Sequence, residues 1–105
     1  MRILAVGCHP DDLEIGAGGT LAKCARRGDH VVICHVANGD MGHVSIGPEE
    51  LARVRAAEAA RGGHIMGAAE TVCLGVHDLE VSSYDPAQTK AMAELIRRVD
   101  PDFII

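Results

Sequence analysis

Residues 2–8 read RILAVGC, an apolar run of the length of a buried strand, and Pro10 follows closely and ends it. Outward from this stretch, three further runs have strand character: HVVICHVA at 30–37, ETVCL at 70–74 and DFII at 102–105. Segments with helical periodicity separate the four runs. The order βαβαβαβ predicts an α/β fold, in which helices cover an open parallel sheet through right-handed crossovers.

Three helices are predicted between the strands. The first covers residues 17–27. The second starts at Pro48, and Gly62-Gly63 weakens or ends it. The third starts after the N-cap Asp85, keeps apolar residues at helical spacing and ends before Pro101.

The composition indicates a globular domain rather than a membrane protein or a nucleic-acid binder. The 105 residues are 48% apolar, and no apolar run approaches the roughly 20 residues that span a bilayer. The net charge of −5 disfavours nucleic acid as a partner. The four cysteines lack CxxC spacing and are predicted to be reduced core residues, and no secretory signal is recognised. These features predict a cytoplasmic protein and leave homo-oligomerisation open.

The chain stops inside the predicted fourth strand, at Ile105. A natural domain rarely ends within an element of secondary structure. We therefore expect residues 1–105 to form a single domain whose C-terminal part lies in further sequence.

The segment after the first strand carries the candidate site, because ligands of open α/β sheets bind beyond the carboxyl ends of the strands. It reads HPDDLEIGAGGT at 9–20. A dinucleotide site is not indicated, since the glycines are spaced GxGG rather than GxGxxG. The carboxylates of Asp11, Asp12 and Glu14 would also repel a pyrophosphate, and no acidic residue ends the second strand to bind a ribose.

A histidine beside carboxylates suits a cation instead. His9 and Asp12 offer one nitrogen and one oxygen ligand, three residues apart in a turn that Pro10 stiffens. Catalytic zinc uses such a mixed set, with three protein ligands and a position left for water. Asp11 lies between the two ligands and is predicted to face that water as a general base, and Glu14 is a candidate acceptor that orients a ligand. The alternative is a polar turn whose aspartates only cap a helix.

Residues 9–20 resemble the HPDDxExGxGGT signature of the PIG-L/LmbE-like zinc-dependent N-deacetylases. Three further segments resemble motifs of that family in the same order: NGDMG at 38–42, RAAE at 55–58 and LGVHD at 74–78. The resemblance implies a Rossmann-like fold and hydrolysis of the acetyl amide of an N-acetylglucosamine-type sugar conjugate. It implies zinc as the cofactor, with ferrous iron as the alternative.

Carried over residue by residue, the resemblance implies His9 and Asp12 as metal ligands, Asp11 as the general base and Arg55 as a substrate-binding residue. It also implies a third metal ligand, a histidine in the loop after the fourth strand, beyond Ile105. We therefore expect deacetylase activity of the native protein, whereas the 105 residues alone lack one ligand of the family's site.

The remaining polar residues have structural interpretations. Arg55 and Glu58 lie three apart on one helical face, which without the resemblance indicates an exposed ion pair. Asp78 follows the third strand, at the edge of the sheet that carries the site, where it stabilises a turn or contacts substrate. His35 is predicted to be packed and His43 to be solvated.

Cys8 adjoins His9, but successive strand side chains face opposite sides of a sheet, so Cys8 is predicted to point away from His9 and to be a poor co-ligand.

A receiver-type signalling domain is the alternative from another functional class. Its βα alternation fits, and an acidic pair after the first strand can bind magnesium. Such a domain also requires a phosphoacceptor aspartate at the end of the third strand, whereas Asp78 lies four residues beyond that strand. Metal preference separates the two: zinc binding that is lost in His9→Ala supports the hydrolase, and binding of magnesium alone supports the receiver.

Overall fold

The computed structural model describes all 105 residues, and its elements follow in the predicted order βαβαβαβ. The strands are β1 (Arg2–Gly7), β2 (His30–Ala37), β3 (Glu70–Val76) and β4 (Phe103–Ile104). The helices are α1 (Asp12–Arg27), α2 (Pro48–Met66) and α3 (Pro86–Val99). None of the three combines the length and the apolar character needed to cross a membrane.

The four strands form one parallel sheet in the order β3-β2-β1-β4. Strand β1 pairs with β2 from Arg2↔His30 to Gly7↔His35, and β4 pairs with the other edge of β1. Because all strands run in the same direction, the loops after β1, β2 and β3 meet at one edge of the sheet. This edge is where the sequence predicts the site.

Side chains that alternate along β1 and β2 form two core layers. The layer under α1 and α2 comprises Ile3, Ala5, Leu13, Leu21, Val31 and Ile33. The layer under α3 comprises Leu4, Val32, Cys34, Leu95 and Val99. Since successive strand residues point to opposite faces, the sheet carries helices on both faces, and the predicted Rossmann-like α/β class is confirmed.

Helix α1 begins at Asp12, five residues before its predicted start at Ala17. The glycines of the first motif are therefore helical residues, despite their low helix propensity. At Gly18 an added Cβ would lie 3.4 Å from Sδ of Met66, an ordinary van der Waals contact, so α1 packs against α2 at this position. The consequence for the site is that Asp12 lies in the first helical turn, where the helix dipole favours a carboxylate.

Helix α2 continues through Gly62-Gly63 to Met66, so the predicted weakening or end at these glycines is wrong. A Cβ at Gly63 would lie 2.0 Å from Oγ1 of Thr71, and one at Gly62 would lie 2.6 Å from Oε1 of Glu14. Gly63 requires glycine because α2 packs directly against β3, whereas the contact at Gly62 is with the mobile end of the Glu14 side chain on α1. The tertiary contact thus outweighs the propensity.

All four cysteines are free thiols, as predicted. Cys34 is buried in the core, and Cys8 and Cys24 are half-buried. Cys73 is exposed, so its predicted place in the core is wrong. Cys73 lies on β3, which is an edge strand and has no neighbouring strand on its outer side.

Candidate active site

A tight turn carries the first motif from the end of β1 into α1. The carbonyl of His9 accepts hydrogen bonds from the backbone N–H groups of Asp11 at 2.9 Å and Asp12 at 3.2 Å. The Asp12 carboxylate in turn accepts from the backbone N–H of His9 at 2.8 Å. This turn places Oδ2 of Asp12 3.8 Å from Nδ1 of His9. The two predicted metal ligands therefore lie side by side.

Cys8 lies in the same cluster, and the prediction that it points away from His9 is wrong. Its Sγ is 3.9 Å from Nε2 of His9. One donor atom each from Cys8, His9 and Asp12 lies within 4.8 Å of the other two. Strand β1 ends at Gly7, so the alternation of strand side chains does not extend to Cys8.

Arg55 connects α2 to the turn. Its Nη2 donates to Oδ2 of Asp11 at 2.8 Å and also to the carbonyl of Pro10, and its Nη1 donates to Oε2 of Glu58 at 2.7 Å. The ion pair with Glu58 agrees with the prediction from spacing. The contact with Asp11 joins residues 44 positions apart, and the spacing gave no sign of it. Arg55 thus fixes the orientation of the candidate base.

Asp78 ties two loops together beside His9. Its carboxylate accepts hydrogen bonds from the backbone N–H groups of Gly39 at 2.9 Å and Met41 at 3.1 Å. Its Oδ1 lies 3.8 Å from Nε2 of His9, and its side chain is only 8% exposed. Of the two predicted roles, the structure shows the stabilising one, at a position next to a predicted metal ligand.

Asp40 was not singled out in the sequence, yet it is one of two buried polar residues of the chain. It binds Nδ1 of His77 at 2.5 Å and accepts from the backbone N–H of Asp78 at 3.0 Å. The hydrogen bond with His77 lowers the pKa of Asp40, and the same bond raises the pKa of the His77 imidazole. The Asp40–His77 ion pair therefore connects the loop after β2 to the loop after β3.

We expect the Asp40–His77 pair to make stability depend on pH. Since the pKa of His77 is raised above 6.5, its contribution is complete below that value and is lost as pH rises through the folded-state pKa. The difference in unfolding free energy between the wild type and His77→Gln should therefore be larger near about pH 6 than near about pH 9. Chemical denaturation at both pH values measures it. His64→Gln, which removes another exposed histidine, is the control, and an equal pH dependence in both variants would contradict the expectation.

An open cavity of about 630 Å³ lies over the turn. Its polar lining comprises His9, Asp11, His43, Arg55, Glu58 and Asp78. Met41, Leu51 and Leu79 supply its apolar part. His43 is exposed, as predicted, and its Nδ1 accepts backbone hydrogen bonds within its own loop. The cavity brings the candidate base, one predicted ligand and the predicted substrate residue Arg55 to one surface.

Glu14 and His35 lie behind the turn. His35 is packed, as predicted, and burial lowers the pKa of its imidazole. Oε2 of Glu14 and both ring nitrogens of His35 are buried without a hydrogen-bond partner. Glu14 makes no hydrogen bond to His9 or Asp12 in the structure, so its role in orienting a ligand stays a prediction.

Comparison with known proteins shows which family the chain resembles. Residues 4–105 match the family model described as PIG-L: GlcNAc-PI de-N-acetylase. A diacetylchitobiose deacetylase from Thermococcus kodakarensis is 31% identical over 106 residues, covering 99% of this chain and 39% of that protein. A 1D-myo-inositol 2-acetamido-2-deoxy-alpha-D-glucopyranoside deacetylase from Salinispora arenicola is 41% identical over 80 residues, covering 73% of this chain and 25% of that protein.

Among solved structures, N,N'-diacetylchitobiose deacetylase from Pyrococcus horikoshii superposes with a TM-score of 0.90 at 30% identity. The match covers 97% of this chain and 39% of that one, so the chain spans about two fifths of that relative's length. The family model, the sequence relatives and the shared fold agree with one another. The chain belongs to the PIG-L family.

Proposed function

We propose that this chain carries the catalytic turn of a metal-dependent hydrolase that removes the acetyl group from an N-acetylglucosamine-type amide. The observation that supports it most strongly is the placement of Asp11. Arg55 holds the Asp11 carboxylate at the cavity. In the sequence Asp11 lies between His9 and Asp12, the two proposed metal ligands. Relatives named as deacetylases of acetamido sugars support the substrate class.

The donor atoms present fit a borderline metal ion. His9 and Asp12 offer an imidazole nitrogen and a carboxylate oxygen 3.8 Å apart, a set that suits zinc and also accepts ferrous iron. Bound there, zinc would polarise the acetyl carbonyl and lower the pKa of water towards neutrality. The family resemblance implies a further ligand from a histidine after the fourth strand.

The chain's own residues then move the proton. Asp11 accepts a proton from water as the water oxygen attacks the acetyl carbon. When the carbon–nitrogen bond breaks, the protonated Asp11 returns that proton to the leaving amine. The products are acetate and the free amino sugar. Arg55 keeps Asp11 facing the cavity throughout, since its guanidinium is anchored on both the Asp11 carboxylate and the Pro10 carbonyl.

Arg55 also has donors left for substrate. A guanidinium carries five N–H groups, and in this structure Nη2 serves Asp11 and Pro10 while Nη1 serves Glu58. One N–H of Nη1 and the N–H of Nε stay available. The predicted substrate contact and the observed contact with Asp11 are therefore compatible.

We expect Arg55→Ala to lower kcat/KM of the native protein by about tenfold or more, roughly 1.4 kcal/mol, with bound metal unchanged. Both the positioning of Asp11 and the substrate contact would be lost. Arg53→Ala is the matched control, because Arg53 lies on the same helix and pairs only with the exposed Glu49. Kinetics of Arg55→Ala close to those of Arg53→Ala would show that neither role exists.

An assay of amine release tests the proposal directly. The native protein is loaded with zinc or ferrous iron and incubated with N,N'-diacetylchitobiose or with N-acetylglucosaminyl-inositol. We expect a free amine and acetate to appear in equal amounts, and a chelator to stop the reaction. Failure to release acetate from either compound with either metal would contradict the proposed activity.

The receiver-type alternative is less well supported by the geometry. Both oxygens of Asp78 accept backbone hydrogen bonds, and the side chain is only 8% exposed. A phosphoacceptor needs an accessible carboxylate oxygen. Asp78, the candidate phosphoacceptor, instead uses both carboxylate oxygens to stabilise the loop after β2.

A further inference from the structure

His43 lies at the wall of the cavity, on the loop that connects β2 to α2. Its Nδ1 accepts hydrogen bonds from the backbone N–H groups of Ser45 at 3.2 Å and Ile46 at 3.1 Å. The Ser45 hydroxyl lies 3.4 Å from the same nitrogen. The imidazole therefore holds its own loop in a turn, much as the side chain of an asparagine or aspartate does in an Asx-turn.

These hydrogen bonds determine which ring nitrogen of His43 carries the proton. A backbone N–H only donates, so Nδ1 must present its lone pair, and the proton of the neutral ring lies on Nε2. All hydrogen bonds of His43 within the chain use Nδ1, so the N–H of Nε2 is left without an acceptor. The two nitrogens lie on different edges of the ring, and this N–H therefore faces away from the two backbone donors. His43 thus offers a neutral hydrogen-bond donor at the cavity.

The loop is anchored on both sides of His43. On one side, the Asp78 carboxylate accepts hydrogen bonds from the backbone N–H groups of Gly39 at 2.9 Å and Met41 at 3.1 Å. On the other side, α2 begins directly after Gly47. The few residues between these anchors are closed into a turn by the imidazole. The ring is therefore held in place before any ligand arrives, which reduces the entropy that binding costs.

The cavity has few side chains that can donate to a sugar. Each hydroxyl oxygen of a sugar accepts hydrogen bonds as well as donating one, so a sugar site needs donors. Three of the polar side chains in the lining are carboxylates, which accept: Asp11, Glu58 and Asp78. His9 is assigned to the metal. The remaining donors among these side chains are Arg55, which already binds two of the carboxylates, and His43.

We propose that His43 is a substrate-binding residue whose Nε2–H donates to a hydroxyl oxygen of the sugar. It thereby favours sugar-linked acetamides over acetamides without hydroxyl groups. The inference rests on the proposed deacetylase and adds to it a residue that determines specificity. The acetamide is proposed to react beside His9 and Asp11, on another loop, so the contact of His43 is the same before and during the reaction. Such a contact changes KM and leaves kcat nearly unchanged.

His43→Asn separates the donor from the turn. The Oδ1 of asparagine takes roughly the place of Nδ1 and accepts from the backbone of Ser45 as in an Asx-turn, whereas no N–H reaches the position of Nε2–H. In the native, metal-loaded protein we expect KM for N,N'-diacetylchitobiose to rise about three- to tenfold, as for the loss of one neutral hydrogen bond. His64→Asn is the matched control, because His64 is exposed and lies outside the cavity. Far-ultraviolet circular dichroism checks that both variants are folded.

Sugar binding without turnover gives a second measure. It is recorded by calorimetry in the metal-loaded Asp11→Asn background, in which the proposed base is absent. Addition of His43→Asn should weaken the binding of N,N'-diacetylchitobiose about three- to tenfold. It should leave the affinity for N-acetylcyclohexylamine unaltered, since that compound carries an acetamide on a ring without hydroxyl groups.

Three results would overturn the inference. The first is a His43→Asn variant with the KM and the sugar affinity of the wild type, which leaves the proposed deacetylase intact as long as acetate is released. The second is a fall in kcat at unchanged KM, because it would place His43 at the reacting amide. The third is a chain that binds no sugar at all. If the wild type binds the sugar but releases no acetate, the proposed function fails, and the calorimetric comparison still decides the role of His43.

Discussion

Asp12→Ala should empty the proposed metal site. Asp12 supplies the one carboxylate oxygen of the cluster, 3.8 Å from Nδ1 of His9, and Ala cannot replace it. Loss of groups that merely support a ligand costs about 10–100-fold in metal affinity, so loss of a direct ligand should cost more than about 100-fold. Metal analysis after gel filtration, together with chelator competition, measures the change. Retention of zinc by Asp12→Ala would contradict the assignment of this residue as a ligand.

The same substitution also removes a hydrogen bond within the turn. The Asp12 carboxylate accepts from the backbone N–H of His9, so Asp12→Ala should cost about 1 kcal/mol of stability in addition. Asp12→Asn separates the two effects, because its amide oxygen still accepts the hydrogen bond but carries no charge for the metal. We expect Asp12→Asn to keep most of the wild-type stability. Its metal affinity should nevertheless be much lower than that of the wild type.

The sequence predicts the fold well because local and global signals agree. The apolar runs of β1 and β2 are buried on both faces, so they appear as continuous hydrophobic segments. The order βαβαβαβ then implies a parallel sheet with the site at its carboxyl edge. His9 and Asp12 directly follow the first strand in the chain. In a parallel sheet this is enough to place them at the carboxyl edge, without knowledge of any tertiary contact.

The bounds of two helices could not be predicted, because packing overrides propensity there. Gly18 and Gly63 lower the helix propensity of their segments, yet both lie where α-helices pack against other elements. At Gly63 a Cβ would lie 2.0 Å from Oγ1 of Thr71, which leaves no room for a larger residue. Met66 approaches Gly18, and Thr71 approaches Gly63. A single sequence carries no information on such close approaches between elements that are distant in the chain.

The contacts that hold the site together were missed for a similar reason. Arg55 reaches Asp11 across 44 positions, and Asp40 reaches His77 across 37. A signal for the second pair was present, since Asp40 and His77 follow strands that are neighbours in a parallel sheet. Loops after neighbouring parallel strands must lie side by side, so an acidic residue in one and a histidine in the other are candidates for an ion pair.

The structure also changes the interpretation of Arg55. From spacing alone it belongs to an ion pair with Glu58, which is present. The additional contact with Asp11 makes Arg55 a positioning residue for the proposed base. Arg55 therefore takes part both in an ion pair on the helix surface and in the candidate site. Only the three-dimensional structure reveals the second role.

Asp11→Asn should keep the metal and lose most of the turnover. An amide cannot accept the proton from water, and loss of a general base costs about 10²–10⁴-fold in rate. The substitution is nearly isosteric, and the amide oxygen of Asn can still accept the hydrogen bond that Arg55 donates to Asp11 at 2.8 Å. The orientation of the turn should therefore persist. Steady-state kinetics and metal analysis of the same preparation measure both effects.

Glu58→Gln is the matched control for Asp11→Asn. Glu58 is the other carboxylate that binds the Arg55 guanidinium, and it lines the same cavity, but it lies outside the cluster of Cys8, His9 and Asp12. If catalysis needs a base at Asp11 itself, Glu58→Gln should lose far less activity than Asp11→Asn. Equal losses in the two variants would mean that the charge around Arg55, rather than proton transfer by Asp11, determines the rate. Loss of zinc from Asp11→Asn but not from Asp12→Ala would exchange the roles of the two aspartates, because only a direct ligand is needed to retain the ion.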